Sequence, residues 1–135
     1  MTKYISIKNK IYPFKFHIFL NYKNLDDIVR DIKLRLRKDK KLLETELKEC
    51  LPINLEGYAG FAYEYKGNII IMTKDFEDRP VDWNTLTHEI GHAVFKAARY
   101  IGLTYSEGPE EFFTYHLGFI MQEIKTALLK DCSKK

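Results

Sequence analysis

Two β-patterned runs that meet at Lys66-Gly67 constrain the fold of this chain more than any other feature. Tyr58 to Tyr65 alternates, with Ala59, Phe61, Tyr63 and Tyr65 on one face, and Asn68-Ile69-Ile70-Ile71-Met72-Thr73 is an Ile-rich strand. A tight turn between them makes a β-hairpin. Upstream, residues 4–7 and 11–20 are dense in β-branched and aromatic side chains and predict two more strands, with Asn9-Lys10 as their turn. Leu25, Ile28, Val29, Ile32 and Leu36, then Leu42, Leu43 and Leu47, recur at helical spacing. Residues 25–50 are therefore predicted as one long helix or two with a break near Asp39, capped by Asn21 or Asn24 and ended by Pro52 and Asn54.

Downstream of the hairpin, the polar stretch Asp75 to Val81 contains Pro80 and is predicted as a loop. Asp82 is the expected N-cap of a helix from Trp83 to about Ile101, with Gly102 as its stop. Pro109 suits the first turn of a last helix that reaches about Lys130. The order β-β-α-β-β-α-α predicts an α+β domain, a small antiparallel sheet packed with helices. The 135 residues fit one domain, 1–135.

Composition removes several classes of function. Cys50 and Cys132 are the only cysteines, so neither a disulfide framework nor a Cys-rich zinc site is expected. The first residues hold no uninterrupted apolar core and do not read as a signal peptide. No apolar run reaches the length of a membrane span, and a cytoplasmic protein with free thiols is expected. The net charge of +3 is unevenly spread. Residues 1–50 carry 13 Lys/Arg against 7 Asp/Glu, whereas residues 51–135 carry 9 against 12. The basic stretch Lys33 to Lys41 is interrupted by Leu34 and Leu36 and reads as a solvated helix face. A nucleic-acid patch is the weaker alternative for that stretch, because no recognised nucleic-acid motif accompanies it. The oligomeric state is not written in the sequence.

The chemistry lies in His88-Glu89-Ile90-Gly91-His92. On a helix, His88 and His92 are one turn apart and face the same way. Two imidazoles at that spacing can grip one zinc ion, with Glu89 beside a water bound to it. The plainer alternative is a helix with two unrelated histidines. A catalytic zinc needs a third protein ligand and an open position. A third His ligand at position 98 is excluded, since Ala98 stands there. No Asp, Glu, His or Cys occurs from Ala93 to Ser106, so the next candidates are Glu107, Glu110 and Glu111. By helical phase Glu110 lies in line with Phe113, Leu117 and Ile124, whereas Glu111 lies with Thr114, Tyr115 and Gly118. The smaller, more polar neighbours of Glu111 suit a close approach to a metal-bearing helix.

On these residues the chain resembles the gluzincin branch of the zincin metallopeptidases. Those proteins pair an H-E-x-x-H helix with a second helix that donates a glutamate ligand. The spacing from His92 to Glu111, with Gly118 beyond it, is similar to the thermolysin-like arrangement. In length and layout the chain is similar to short zincin-like proteins of phages and bacteria. The resemblance implies a minimal zincin-like domain with Zn2+ held by His88, His92 and Glu111, and with Glu110 as the runner-up. It implies Glu89 as general base in the hydrolysis of a peptide or protein substrate. Tyr115, one turn after Glu111, is a candidate to hydrogen-bond a ligand or steady an oxyanion, against the plainer reading of a packed tyrosine. The sequence departs from the thermolysin-like pattern in ending at Lys135, so any oxyanion donor is expected among residues already present. The other expectation is a zincin-fold protein that binds metal but acts by binding a host or partner protein. His116 is expected in surface or inter-element packing, and His17 as a plain strand residue.

Overall fold

The computed structural model describes residues 2–8, 12–22, 30–31, 60–65, 67–103 and 110–133. Most of the helix expected over 25–50, the basic stretch Lys33 to Lys41, the Asn9-Lys10 turn, Cys50, Glu107 and Pro109 lie outside those residues. Four strands and two long helices are described: β1 (Lys3–Lys8), β2 (Lys15–Leu20), β3 (Gly60–Tyr65), β4 (Asn68–Thr73), α1 (Pro80–Tyr100) and α2 (Glu110–Ser133). The chain is thus α+β, with helices packed on a four-stranded sheet.

Both hairpins form as the local pattern requires. β1 pairs antiparallel with β2, and β3 with β4. Tyr65 stands opposite Asn68, and Gly67, in the turn between the strands, takes a φ of 86° that L side chains avoid. The hairpins then join through β2 and β4, which pair in parallel with Phe16 opposite Ile69 and Ile18 opposite Ile71. The strand order is β1-β2-β4-β3, so the sheet is mixed and not antiparallel as expected. The reason is burial. β2 and β4 are the most apolar strands, and the centre of the sheet is where both of their faces leave water. The long connection between residues 20 and 68 permits a parallel crossover. β2 starts at Lys15, later than expected, because Pro13 has no N–H to give a ladder.

One face of the sheet carries Ile5, Ile7, Phe16, Ile18, Leu20, Ile69 and Ile71 into a core shared with both helices. α1 contributes Leu86, Ile90, Ala93, Val94 and Ala97, and α2 contributes Phe112, Phe113, Ile120 and Ile124. The small side chains at positions 93 and 97 let α1 lie close over β3 and β4. The opposite face is also buried, at Phe19, Ile70 and Met72. There His17 bridges two polar groups, its Nδ1 2.6 Å from Tyr4 Oη and its Nε2 3.0 Å from Asn68 Oδ1. If Nε2–H donates to the Asn68 oxygen, Nδ1 is left to accept from the tyrosine hydroxyl.

α1 begins earlier than expected, and Asp82 is not its N-cap. Arg79 is the N-cap, Pro80 opens the first turn, and Asp82 sits at the third helical position. Pro80 is a start signal here because its missing N–H belongs to the group that a helix leaves unpaired anyway. Asp82 Oδ2 accepts the backbone N–H groups of Glu77 (2.9 Å) and Arg79 (3.1 Å). The Arg79 guanidinium adds a two-pronged contact, Nε to Oδ2 and Nη2 to Oδ1, each 2.9 Å. Those hydrogen bonds, the guanidinium first, outweigh burial and hold the Asp82 carboxyl well below the usual carboxylate range. A depressed folded value means that the contact stabilises above the unfolded value near 4 and is lost as pH falls below it. Asp82→Asn is accordingly expected to lower the melting temperature at pH 7 and to flatten its decline between about pH 5 and pH 2, as read by thermal melts across that range.

α1 ends where Gly102 takes a φ of 82°, as the sequence predicts. Among the described residues, no helix is long and apolar enough to cross a membrane.

Candidate metal centre

α1 places the motif two turns past its start, where the helix crosses β3 and β4. Ile90 is fully buried and pins this turn to the sheet. His88 and His92 point the other way and are exposed. Their Nε2 atoms are 3.1 Å apart, and their rings meet edge to face at 80°. Two imidazole nitrogens on one tetrahedral zinc, each at about 2.0–2.1 Å, stand roughly 3.3 Å apart. The pair therefore fits two corners of a zinc site with little movement. Without metal the same separation suits a hydrogen bond between the rings.

Glu89 differs from its neighbours. It is 8% exposed, and its Oε1 lies 4.0 Å from His88 Nε2. Burial pushes its carboxyl above the usual range, opposed by the nearby His88, His92 and Lys96. The sheet makes room for it at Gly60. A Cβ there would lie 2.6 Å from the Met72 carbonyl oxygen of β4 and 3.1 Å from Glu89 Cγ, so the strand backbone demands glycine here and the Glu89 side chain lies against it. Gly60 was not singled out in the sequence. An isolated Gly at the start of a strand pattern was its available signal.

The third ligand is less settled in place. α2 runs antiparallel to α1, with Phe113 against Phe95 and Met121 near Thr87. His92 is thus level with the neighbourhood of residue 116, and Glu111 stands about 7 Å further along the axis. Glu110 and Glu111 are both exposed. Glu110 faces α1, lining the groove between the helices with Gly91, Phe95, Phe113, Thr114 and Leu117. Among the described residues, no three His, Cys, Asp or Glu side chains are assembled around a point that could hold a metal. The structure therefore brings together His88, Glu89 and His92, and does not bring Glu111 to them.

Tyr115 is 59% exposed and stacks on Phe119, with ring centroids 5.9 Å apart and planes 5° from parallel. His116 is buried among Tyr12, Phe14 and Phe112, in the inter-element packing expected of it. Its Nδ1–H donates to the Phe112 carbonyl at 2.7 Å, and burial lowers its pKa.

One further cluster lies in the same cleft, where the sequence reading named nothing. Tyr63 and Glu64 of β3 and Lys96, Arg99 and Tyr100 of α1 line a cavity of about 180 Å³. Its signal was present as the helical series Glu89, His92, Lys96 and Arg99, which puts these residues on one side of α1.

Comparison of the chain with protein-family models, with curated proteins and with solved structures gave no match.

Proposed function

We propose that this protein is a zinc-dependent peptidase of gluzincin type. The observation that carries the reading is the histidine pair, with Nε2 atoms 3.1 Å apart and a half-enclosed glutamate beside it on the same turn. His88 and His92 would hold the ion, with a third ligand from the first turn of α2. Glu111 is favoured for that position by the resemblance, and Glu110 by the face of α2 that meets α1.

Bound zinc would supply a Lewis acid for a substrate carbonyl and an acidified water near neutral pH. Glu89 accepts the proton of the attacking water and returns it to the departing amine. Its setting favours that work, because a carboxylate withdrawn from solvent holds a proton more readily than an exposed one. Ile90 and Gly60 position it: the first fixes the turn on the sheet, and the second leaves room for its side chain. β3 lies at one edge of the described sheet, where an extended peptide can add as a further strand. Tyr115 keeps a candidate role as a hydrogen-bond donor to a ligand or an oxyanion. The absence of a described membrane-spanning helix and of a disulfide framework supports the cytoplasm as the place of action.

A second reading has one observation of its own. No third ligand is assembled around the histidines among the described residues, which suits a metal-binding protein that acts by occupying a partner. Hydrolysis separates the two. The peptidase reading expects cleavage of an unfolded protein such as reduced casein. That cleavage is abolished by a chelator and restored by stoichiometric Zn2+. Metal binding with no cleavage under any loading supports the partner-binding reading instead.

A further inference from the structure

A basic pair lies further along α1 than the histidine motif. Lys96 and Arg99 project from successive turns of α1 toward β3. Tyr63 and Tyr100 complete the cavity walls. Among the described residues, neither cation is within ion-pair distance of a carboxylate. Glu64, the one acid among the described lining residues, is engaged by the hairpin turn, its Oε1 accepting the Gly67 N–H at 3.0 Å. Within the cavity lining, two cations thus stand beside one described acid that already has a partner, with Glu89 further along α1.

The cavity lies further along the same strand and helix as the candidate site. Gly60 lies against Glu89, whereas Tyr63 and Glu64 lie against Lys96, Arg99 and Tyr100. β3 and α1 therefore run in the same direction along one cleft. Four strand residues span about 13 Å. The helix from Glu89 to Arg99 rises about 15 Å. A peptide laid along β3 with its scissile bond at Glu89 reaches the cations about four residues away.

We propose that Lys96 and Arg99 bind a carboxylate of the peptide, so that this cleft selects acidic substrates. The proposal rests on the peptidase reading for the identity of the ligand, but its recognition chemistry does not require the metal. Arg99 offers a planar fork and Lys96 a point charge. An acidic side chain and a free C-terminal carboxylate present the same group.

The probes are three fluorescein-labelled nonapeptide pools of mixed Ala, Leu, Ser, Phe and Tyr. One has a single internal Glu and an amidated end, one has Gln in its place and an amidated end, and one has the Gln with a free C-terminal carboxylate. Binding is read by fluorescence anisotropy with chelator present, so that nothing is cleaved, and again with Zn2+. The Glu pool is expected to bind about tenfold tighter than the amidated Gln pool, a difference that falls as salt rises. Tighter binding of the free-acid Gln pool instead assigns the pocket to the peptide's C-terminus and supports the proposal equally. In Lys96→Gln/Arg99→Gln the preference is expected to shrink below about twofold. Both residues are at the surface of α1, and an unchanged melting temperature shows that this variant is folded. Equal binding of all pools to the wild type, including no binding, overturns the proposal, as does an unchanged preference in the variant. Zinc content is measured on the same samples. A carboxylate preference without zinc binding removes the peptidase reading and leaves the pocket standing, whereas zinc binding without the preference does the reverse.

Discussion

Glu89→Gln is expected to keep its zinc and its fold while hydrolysis falls by about 10²–10⁴-fold. The amide has nearly the same shape as the carboxylate but cannot accept a proton from water. Glu89 is 8% exposed, and its carboxyl is already pushed toward the neutral form by burial. Replacing it with a neutral group therefore removes little stabilising charge, and the melting temperature should move little. The two outcomes have different causes and are read separately. Initial rates on reduced casein report the lost base, while metal analysis and thermal melts report the intact site. A variant that hydrolyses at the wild-type rate would remove Glu89 from the chemistry. A variant that is inactive because it has lost zinc or unfolded would assign the residue a structural part.

Ile90→Ala, one residue further along, is expected to do the opposite. Ile90 is fully buried in the core that α1 shares with the sheet, and its neighbours there include Leu86, Ala93 and Val94. Removing its outer carbons leaves a cavity under the turn that carries both histidines. Such truncations cost about 2–5 kcal/mol, where a domain of this kind has roughly 5–15 kcal/mol in all. For a chain of this length that lowers the melting temperature by roughly 10 °C or more. The measurement is a denaturant or thermal unfolding curve. A loss under about 1 kcal/mol would contradict the packing of α1 described above. Adjacent residues of one motif thus separate by burial, one acting in chemistry and the other holding the turn in place.

The parts of the fold that sequence made legible are the local ones. Lys66-Gly67 announces its hairpin because the turn needs a residue with positive φ, and Gly67 supplies it. The ends of α1 were half legible. Gly102 signals the stop, but Pro80 within a polar stretch suggests a loop although it opens the helix, and Asp82 resembles a cap although it stands at the third helical position. Ser, Thr, Asp and Asn are favoured at caps, so an Arg N-cap held by an Asp three residues later runs against the usual pattern. The parallel pairing of β2 with β4 was not legible. It joins residues distant in sequence, and what selects it is the burial of two apolar strands together.

The candidate site divides in the same way. His88, Glu89 and His92 share one helical turn, so their spacing alone fixes their proximity. Glu111 belongs to another helix, and its distance from the pair depends on how α2 slides along α1, which side-chain packing decides. The packing sets Phe113 against Phe95 and turns the Glu110 face toward α1. Helical phase favours the more polar face of Glu111, but the core draws in the apolar face, and Glu110 lies at its edge. Gly60 and the Lys96–Arg99 cavity depend on contact between α1 and β3, which no local pattern encodes.

Zinc bound per chain tests the central claim most directly. Purified protein is incubated with excess Zn2+, desalted and analysed for metal, beside His92→Ala, Glu110→Ala and Glu111→Ala. The account predicts about one zinc per chain in the wild type, none retained in His92→Ala, and a clear loss in one of the two glutamate variants. That loss names the third ligand. A folded wild-type protein that retains no zinc, or a His92→Ala protein that retains as much as the wild type, would contradict it.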